Sequence, residues 1–334
     1  MESKRWISTD TILLTAGLLL LGYLLGDLLL LVFAAVLLAV GLDGCARAIA
    51  ERLPVSRGWA LLGVTIGIAI IILGSLGMST AGLVQQLQEV SETVFDFAEQ
   101  AQAWLTEHGM MPIVEDMNDE NAGLSGAVGE VAGHALAVFG AFASFIILVI
   151  LTLFLAAKPE RYRRGTMHLV PPDRRELVDD TLSALAHALR WWFLGQLVSM
   201  ALLGITVGLG LFLLGIDLWF ALGVLTAILT FIPFIGPLIA AIPIIAVGFT
   251  EGMQTGLIVL IGYIIIQNVE GNVVVPMIQH KAVDLAPALQ ISVQVLFGLV
   301  FGAVGLILAA PLTIVAMISV QKLWVEHALG DKVT

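Results

Sequence analysis

Runs of about 20 apolar residues recur along this chain, and a run of that length crosses the roughly 30 Å hydrocarbon layer of a bilayer as a helix. Residues 28–46 and 191–214 are two of them. Hydrocarbon offers no partner to a backbone N–H or C=O, so each run must satisfy its own backbone and is read as helix. Hydrophobic residues are 59% of the chain, charged residues 12%, and the mean hydropathy is +1.01, outside the balance of a soluble domain. The fold class is therefore all-α: a polytopic integral membrane protein embedded in a lipid bilayer. Lys4 and Arg5 precede the first run in the manner of a signal peptide, but a second run follows at once, so the first is expected to stay as an uncleaved span.

Charge supplies the orientation. No Lys or Arg lies between Arg57 and Lys158, whereas Glu89, Glu92, Asp96, Glu99, Glu107, Glu115, Asp116, Asp119, Glu120 and Glu130 all do. Lys158, Arg161, Arg163, Arg164, Arg174 and Arg175 crowd one short connection, and Arg47, Arg52 and Arg57 another. Basic loops stay on the cytoplasmic side, so the acidic segment is expected outside and both termini inside the cell. The net charge of −11 then reflects mainly one external segment and gives no reason to expect a nucleic-acid partner.

Eight spans are predicted, at residues 11–26, 28–46, 59–82, 136–157, 191–214, 218–249, 255–275 and 288–324, the first two forming a tight pair turning near Asp27. Three regions follow. Residues 1–157 hold the N-terminal helices and an external helical extension, 83–135. Residues 158–190 form a basic cytoplasmic loop and an interfacial helix. Residues 191–334 form a C-terminal core with broken helices, in which 218–249 and 288–324 either cross or re-enter.

In the extension, Leu83, Leu87, Val90, Val94, Phe97, Ala101 and Leu105 alternate spacings of four and three, which makes an apolar seam on one helix face. It packs either against the acidic loop of the same subunit or against a second copy in a homo-oligomer. In the interfacial segment Asp173 is placed to cap a helix, with Glu176 three residues on and Val178, Leu182, Leu185 and Leu189 along one face. His187 beside that stripe reads as a packed residue, and Trp191 and Trp192 suit the headgroup boundary.

Enzyme chemistry lacks its usual residues. The sequence has no GxSxG, HExxH or phosphate-binding loop, its histidines are scattered singly, and its one cysteine, Cys45, forms no internal disulfide. No catalytic residue, metal site or resident cofactor is assigned.

The informative feature is TFIPFIGPLIAAIP, residues 230–243, where Pro233, Pro237 and Pro243 surround Gly236 within an apolar run. A proline inside a helix removes a backbone hydrogen bond at a cost of roughly 3 kcal/mol. Groups freed at membrane depth survive only where protein buries them or where they line a wet cavity, so a discontinuous helix marks a pathway or a binding site. GLILAAP, residues 305–311, echoes GPLIAAIP, residues 236–243, with Gly305 and Pro311 in corresponding places. Between the two, Gln267, Asn268, Glu270 and Asn272 end an apolar run, with Gly271 among them and Pro276 closing the helix. An acid near membrane depth is a functional candidate, and Glu270 either carries a proton or cation or sits at the wet helix end paired with Lys281.

FIPFIGPLIAAIP, VEGNVVVPMIQHKAVDLAP, FGAVGLILAAPL and LVPPDRRE with RWWFLGQ downstream together resemble the autoinducer-2 exporter family of bacterial and archaeal membrane proteins, most specifically over residues 160–324. The resemblance implies an eight-span transporter, often homo-oligomeric, whose members are linked to export of the quorum-sensing furanone or to sodium/proton exchange. Its motif positions fall on Arg190, Gln196, Pro233, Gly236, Pro237, Glu270, Gly271, Asn272, Pro276, Gly305 and Pro311. Phe234 stands where the family commonly has tyrosine. The expected function is a secondary transporter exporting a small polar solute, driven by an ion gradient, around a site near Glu270 and Asn272. The alternatives are a sodium (or lithium)/proton antiporter, with Na+ or H+ as transported or coupling ion, and a non-transporting membrane scaffold acting through the external seam.

Overall fold

The computed structural model describes residues 24–67, 143–274 and 286–331, with single positions between 86 and 97. All regular structure among these residues is helical. The run 28–46 lies in α1 (Gly26–Ala50), which begins beside the turn expected at Asp27. α2 covers 57–67 and α3 Ala143–Ala157, the described parts of the third and fourth expected spans. At Lys158 the chain bends by 85° into α4 (Pro159–His168), whose Pro159 fits a first helical turn where no N–H partner is lost. α4 carries Arg161, Arg163 and Arg164 and buries no residue. Arg163 ties it to the next helix through Asp179 (2.8 Å) and Ser183 (2.7 Å).

α5 (Arg175–Leu213) is a single 39-residue helix, about 58 Å long at 1.5 Å per residue. The sequence suggests an interfacial helix followed by a span; the structure joins them without a break through Arg190 and Trp191. The cap expected from Asp173 is not made, because Asp173 lies in a one-turn 3-10 helix and Arg174 takes the N-cap position with no side-chain bond. After α5 come α6 (Trp219–Leu229), α7 (Ile235–Thr250), α8 (Met253–Val269) and α9 (Pro287–Ser319). α8 and α9 each end in a turn of π-helix, at Glu270–Val274 and Val320–Glu326.

By length and composition, four helical segments among the described residues could cross a membrane: Gly26–Ala50, Pro172–Leu213, Met253–Val273 and Pro287–Glu326, the last of them interrupted at Gly302. A fifth follows if the bent pair α3–α4 counts as one. α6 and α7, about 16 and 24 Å long, are each shorter than the hydrocarbon layer. Residues 11–23 of the first expected span, Leu83, Leu87, Ala101 and Leu105 of the seam, the acidic loop 108–135, Pro276 and Lys281 lie outside the described residues.

Two apolar clusters hold these helices, and α5 belongs to both. Its first half sends Ala188, Leu189, Trp192 and Phe193 against Leu30 and Leu37 of α1 and Leu308, Ile314 and Ile318 of α9. Its second half sends Val207 and Leu211 against Leu222 of α6, Ala240, Ile244 and Val247 of α7, and Val259 and Tyr263 of α8. Val90 of the seam is buried in this second cluster, Val94 packs on it, and Phe97 stacks on Phe249 with ring centroids 6.1 Å apart. At these three positions the seam is covered by the chain's own core.

Candidate functional site

The prolines break the chain between α6 and α7. Phe231 and Ile232 tighten the end of α6 by donating their N–H groups to Ile228 and Leu229, three residues back. Phe234 then takes φ 64° and ψ −55°, and the Ile235 N–H donates to the Pro233 carbonyl at 2.8 Å. That is a γ-turn of the strained kind, with a bulky residue in the left-handed region, and such strain persists only where the surroundings enforce it. Gly236 shows how sharply the chain reverses. A Cβ there would stand 1.8 Å from the Leu229 carbonyl oxygen, although seven helical residues span about 10 Å.

A second reversal lies inside α9. The run 288–324 offers Pro311 and several glycines as interruptions; Pro311 sits fully buried within the helix, and the break is at a glycine, Gly302, with φ 62° and ψ −147°. Those angles fall in a region that essentially only glycine adopts. A Cβ on Gly305 would stand 2.2 Å from the Phe297 carbonyl oxygen. Both breaks therefore share one device: a residue with positive φ, followed within three residues by a glycine pressed onto the last carbonyls of the preceding arm.

Carbonyls around the first break are taken by side chains from three other helices. The Thr230 C=O would accept from the helix ladder if the helix ran on; instead that oxygen accepts from Gln196 Nε2 of α5. The Pro233 carbonyl, which Pro237 has no N–H to satisfy, accepts from Gln294 Nε2 of α9 at 2.9 Å. The Pro237 carbonyl accepts from the Tyr263 hydroxyl of α8 at 2.6 Å. Thr226 and Thr230 point their hydroxyls back to the carbonyls of Leu222 and Thr226, each at 2.6 Å. Phe231 packs edge-on against Trp192 and Phe193, which fixes the tip to α5. Groups freed at membrane depth must turn to water or to protein, and for these three carbonyls the partner is protein.

The same side chains belong to polar stripes inside apolar helices. Gln196 and Ser199 are buried on α5; Tyr263, Gln267 and Glu270 follow at i, i+4 and i+7 on α8 and its π turn; Gln290 and Gln294 are buried at i and i+4 on α9. Ser199 of α5 faces the half-buried Glu270 carboxylate. Among the described residues, Oε1 of Gln294, a residue with no exposed surface, is buried without a partner, and the buried Nε2 of Gln267 faces the Tyr263 hydroxyl. An acceptor left open in this way is an end to which a polar solute would bond. Leaving it open without a ligand costs about 1–3 kcal/mol.

Of the residues singled out in the sequence, Gln196, Pro233, Gly236, Pro237, Gln267 and Glu270 meet at or beside the first break. Asn268 and Asn272 do not; both are exposed and donate back to their own helix, to Ile264 (2.8 Å) and Asn268 (3.0 Å). Gly271 is exposed beside them, and a Cβ added there would meet only open space. Gly305 and Pro311 belong to the second arm of α9. Arg190 stands elsewhere, in a cluster on Asp43. Sequence reasoning missed Ser199, Tyr263, Gln290, Gln294 and Asp43. The signal for most of them was there, since polar residues at helical spacing within apolar runs mark one buried face.

A family described as AI-2E family transporter matches residues 11–324. YrrI of Bacillus subtilis (strain 168), a candidate transport protein, is 25% identical over 264 residues, 73% of each chain. YueF of the same organism, also a candidate transport protein, is 28% identical over 180 residues, 52% of this chain and 48% of that one. The AI-2 transport protein TqsA of Escherichia coli (strain K12) is 28% identical over 187 residues, 54% of this chain and 53% of that one. The matches thus reach about half to three quarters of the relatives' lengths. With membrane-length helices, two glycine-sealed chain reversals and a match over nearly its whole length, the chain belongs to the AI-2E transporter family.

Proposed function

We propose that this protein exports a small, polar, uncharged solute through the polar stripes around Pro233, with an ion gradient as the drive. The observation that carries this reading is Gln294: fully buried, its Nε2 on the Pro233 carbonyl and its Oε1 without a partner. The TqsA relative is named for AI-2 transport, and a small polar solute would bond to such an amide and to Gln267 beside it. In proteoliposomes loaded with autoinducer-2, under imposed proton or sodium gradients, Gln267→Leu is expected to slow efflux about tenfold, the worth of one lost hydrogen bond in a dry site. Its thermal midpoint is measured beside the parent's as the check on folding, because the change also removes the amide that faces the Tyr263 hydroxyl. Unchanged efflux in that variant would defeat the site.

A second reading, sodium/proton exchange, is favoured by the contact between Ser199 and the half-buried Glu270 carboxylate. Under it, Glu270→Gln abolishes pH-dependent sodium flux, whereas a solute path through Gln267 and Gln294 survives that change in part. A scaffold role has less support, since Val90 and Phe97 of its seam pack within the chain.

A further inference from the structure

Asp43 lies in the last third of α1, buried, and three guanidinium groups converge on it. Arg47 Nε is 2.8 Å from Oδ2, Arg57 Nε 2.7 Å from Oδ1, and Arg190 Nη2 3.4 Å from Oδ2. Arg57 Nη2 also donates to the Ala156 carbonyl at the end of α3, at 3.1 Å. The cluster therefore joins α1, α2, α3 and α5. Its charges do not balance: three cations meet one anion, and Glu51, whose field reaches Arg190, still leaves an excess of one positive charge. Its hydrogen bonds do not balance either. Each guanidinium has five N–H groups. Among the described residues only one N–H of Arg47, two of Arg57 and one of Arg190 are used, and the Arg190 Nε is buried with no partner.

These side chains are within reach of solvent, at 47%, 38% and 25% exposure for Arg47, Arg57 and Arg190, while Asp43 beneath them is at 8%. The outer face of the cluster is thus all donor and cationic, held in a fixed fork by a carboxylate that fills its inner face. Planar guanidinium groups aimed from three directions suit the oxygens of a phosphate. A phosphodiester carries one negative charge, the number missing here. Leu53, Val55 and Trp59 beside Arg57 are exposed at 56%, 41% and 68%, an apolar rim of the sort that meets acyl chains at a headgroup boundary.

We propose that Arg47, Arg57 and Arg190, clamped over Asp43, form a binding site for a phosphate group, that of an anionic phospholipid headgroup or of free phosphate. The site is separate from the polar stripes and does not depend on what they carry. The purified full chain in neutral detergent is titrated with short-chain phosphatidylglycerol, short-chain phosphatidylcholine and inorganic phosphate, and binding is read from the thermal midpoint and by native mass spectrometry. Phosphatidylglycerol is expected to bind and raise the midpoint where phosphatidylcholine does not. Protection by inorganic phosphate as well would assign the site to the free ion and headgroup alike; protection by inorganic phosphate alone would assign it to the ion. Arg47→Gln should weaken binding by about tenfold, the worth of a charge-assisted hydrogen bond, with the ligand-free midpoint measured beside it as the check on folding. Arg47→Lys, which keeps the charge but loses the fork, should lie between. Arg52→Gln, an exposed basic residue of the same connection outside the cluster, should bind as the parent does. No protection by phosphatidylglycerol or inorganic phosphate, protection by phosphatidylcholine equal to that by phosphatidylglycerol, or equal weakening in Arg52→Gln and Arg47→Gln, overturns the proposal.

Discussion

Gly236 and Gly305 are positions where a single methyl group decides whether the chain can reverse. Each faces a backbone oxygen that has no room to retreat, so Gly236→Ala and Gly305→Ala are expected to cost about 1–3 kcal/mol, the range for forced overpacking. Gly271→Ala, in open space, should be silent, and the thermal midpoints of the three purified variants check the contrast. Phe234 is the opposite case. Its positive φ costs about 1–2 kcal/mol for an L-residue, a strain that glycine does not incur, so Phe234→Gly is expected to keep or raise the midpoint. The first break was legible because prolines and a glycine crowd it. The partner of Gln294 was not, since glutamines at helical spacing mark a buried face but say nothing of a carbonyl 61 positions away.

At the scale of elements, hydropathy located α1, α5, α8 and α9 because a membrane span has a length set by the bilayer. Breaks were harder to place. Pro311 and several glycines all offer to interrupt α9, and the sequence does not choose among them: Pro311 sits inside a packed helix, while Gly302 reverses the chain. The joining of α1, α2, α3 and α5 was hidden as well, because the partners of Asp43 are 14 and 147 residues away, in addition to Arg47 on the next turn. Removing that carboxylate leaves three guanidinium groups facing one another. Asp43→Ala is expected to cost about 3–5 kcal/mol, as for a buried pair stripped of one partner, with the replacement of exposed Asp173 as its neutral control in the same thermal assay.

Among the described residues of the whole molecule, the first break lies where polar side chains gather, and the longest unbroken helix is α5, which spans both apolar clusters. Hydrogen–deuterium exchange should reflect this, with amides of 230–236 and around Gly302 exchanging well before those of 192–207, and a transported solute slowing the first group. Uniform protection across both regions would contradict it. The unbroken form of α5 has a mechanical corollary. A rod about 58 Å long that pivots by about three degrees carries its far end roughly 3 Å, a full hydrogen-bond length, without any change in its own shape. Arg190 and Gln196 ride on that rod only some ~9 Å apart, so whatever grips the arginine end also sets the leverage on the Thr230 carbonyl.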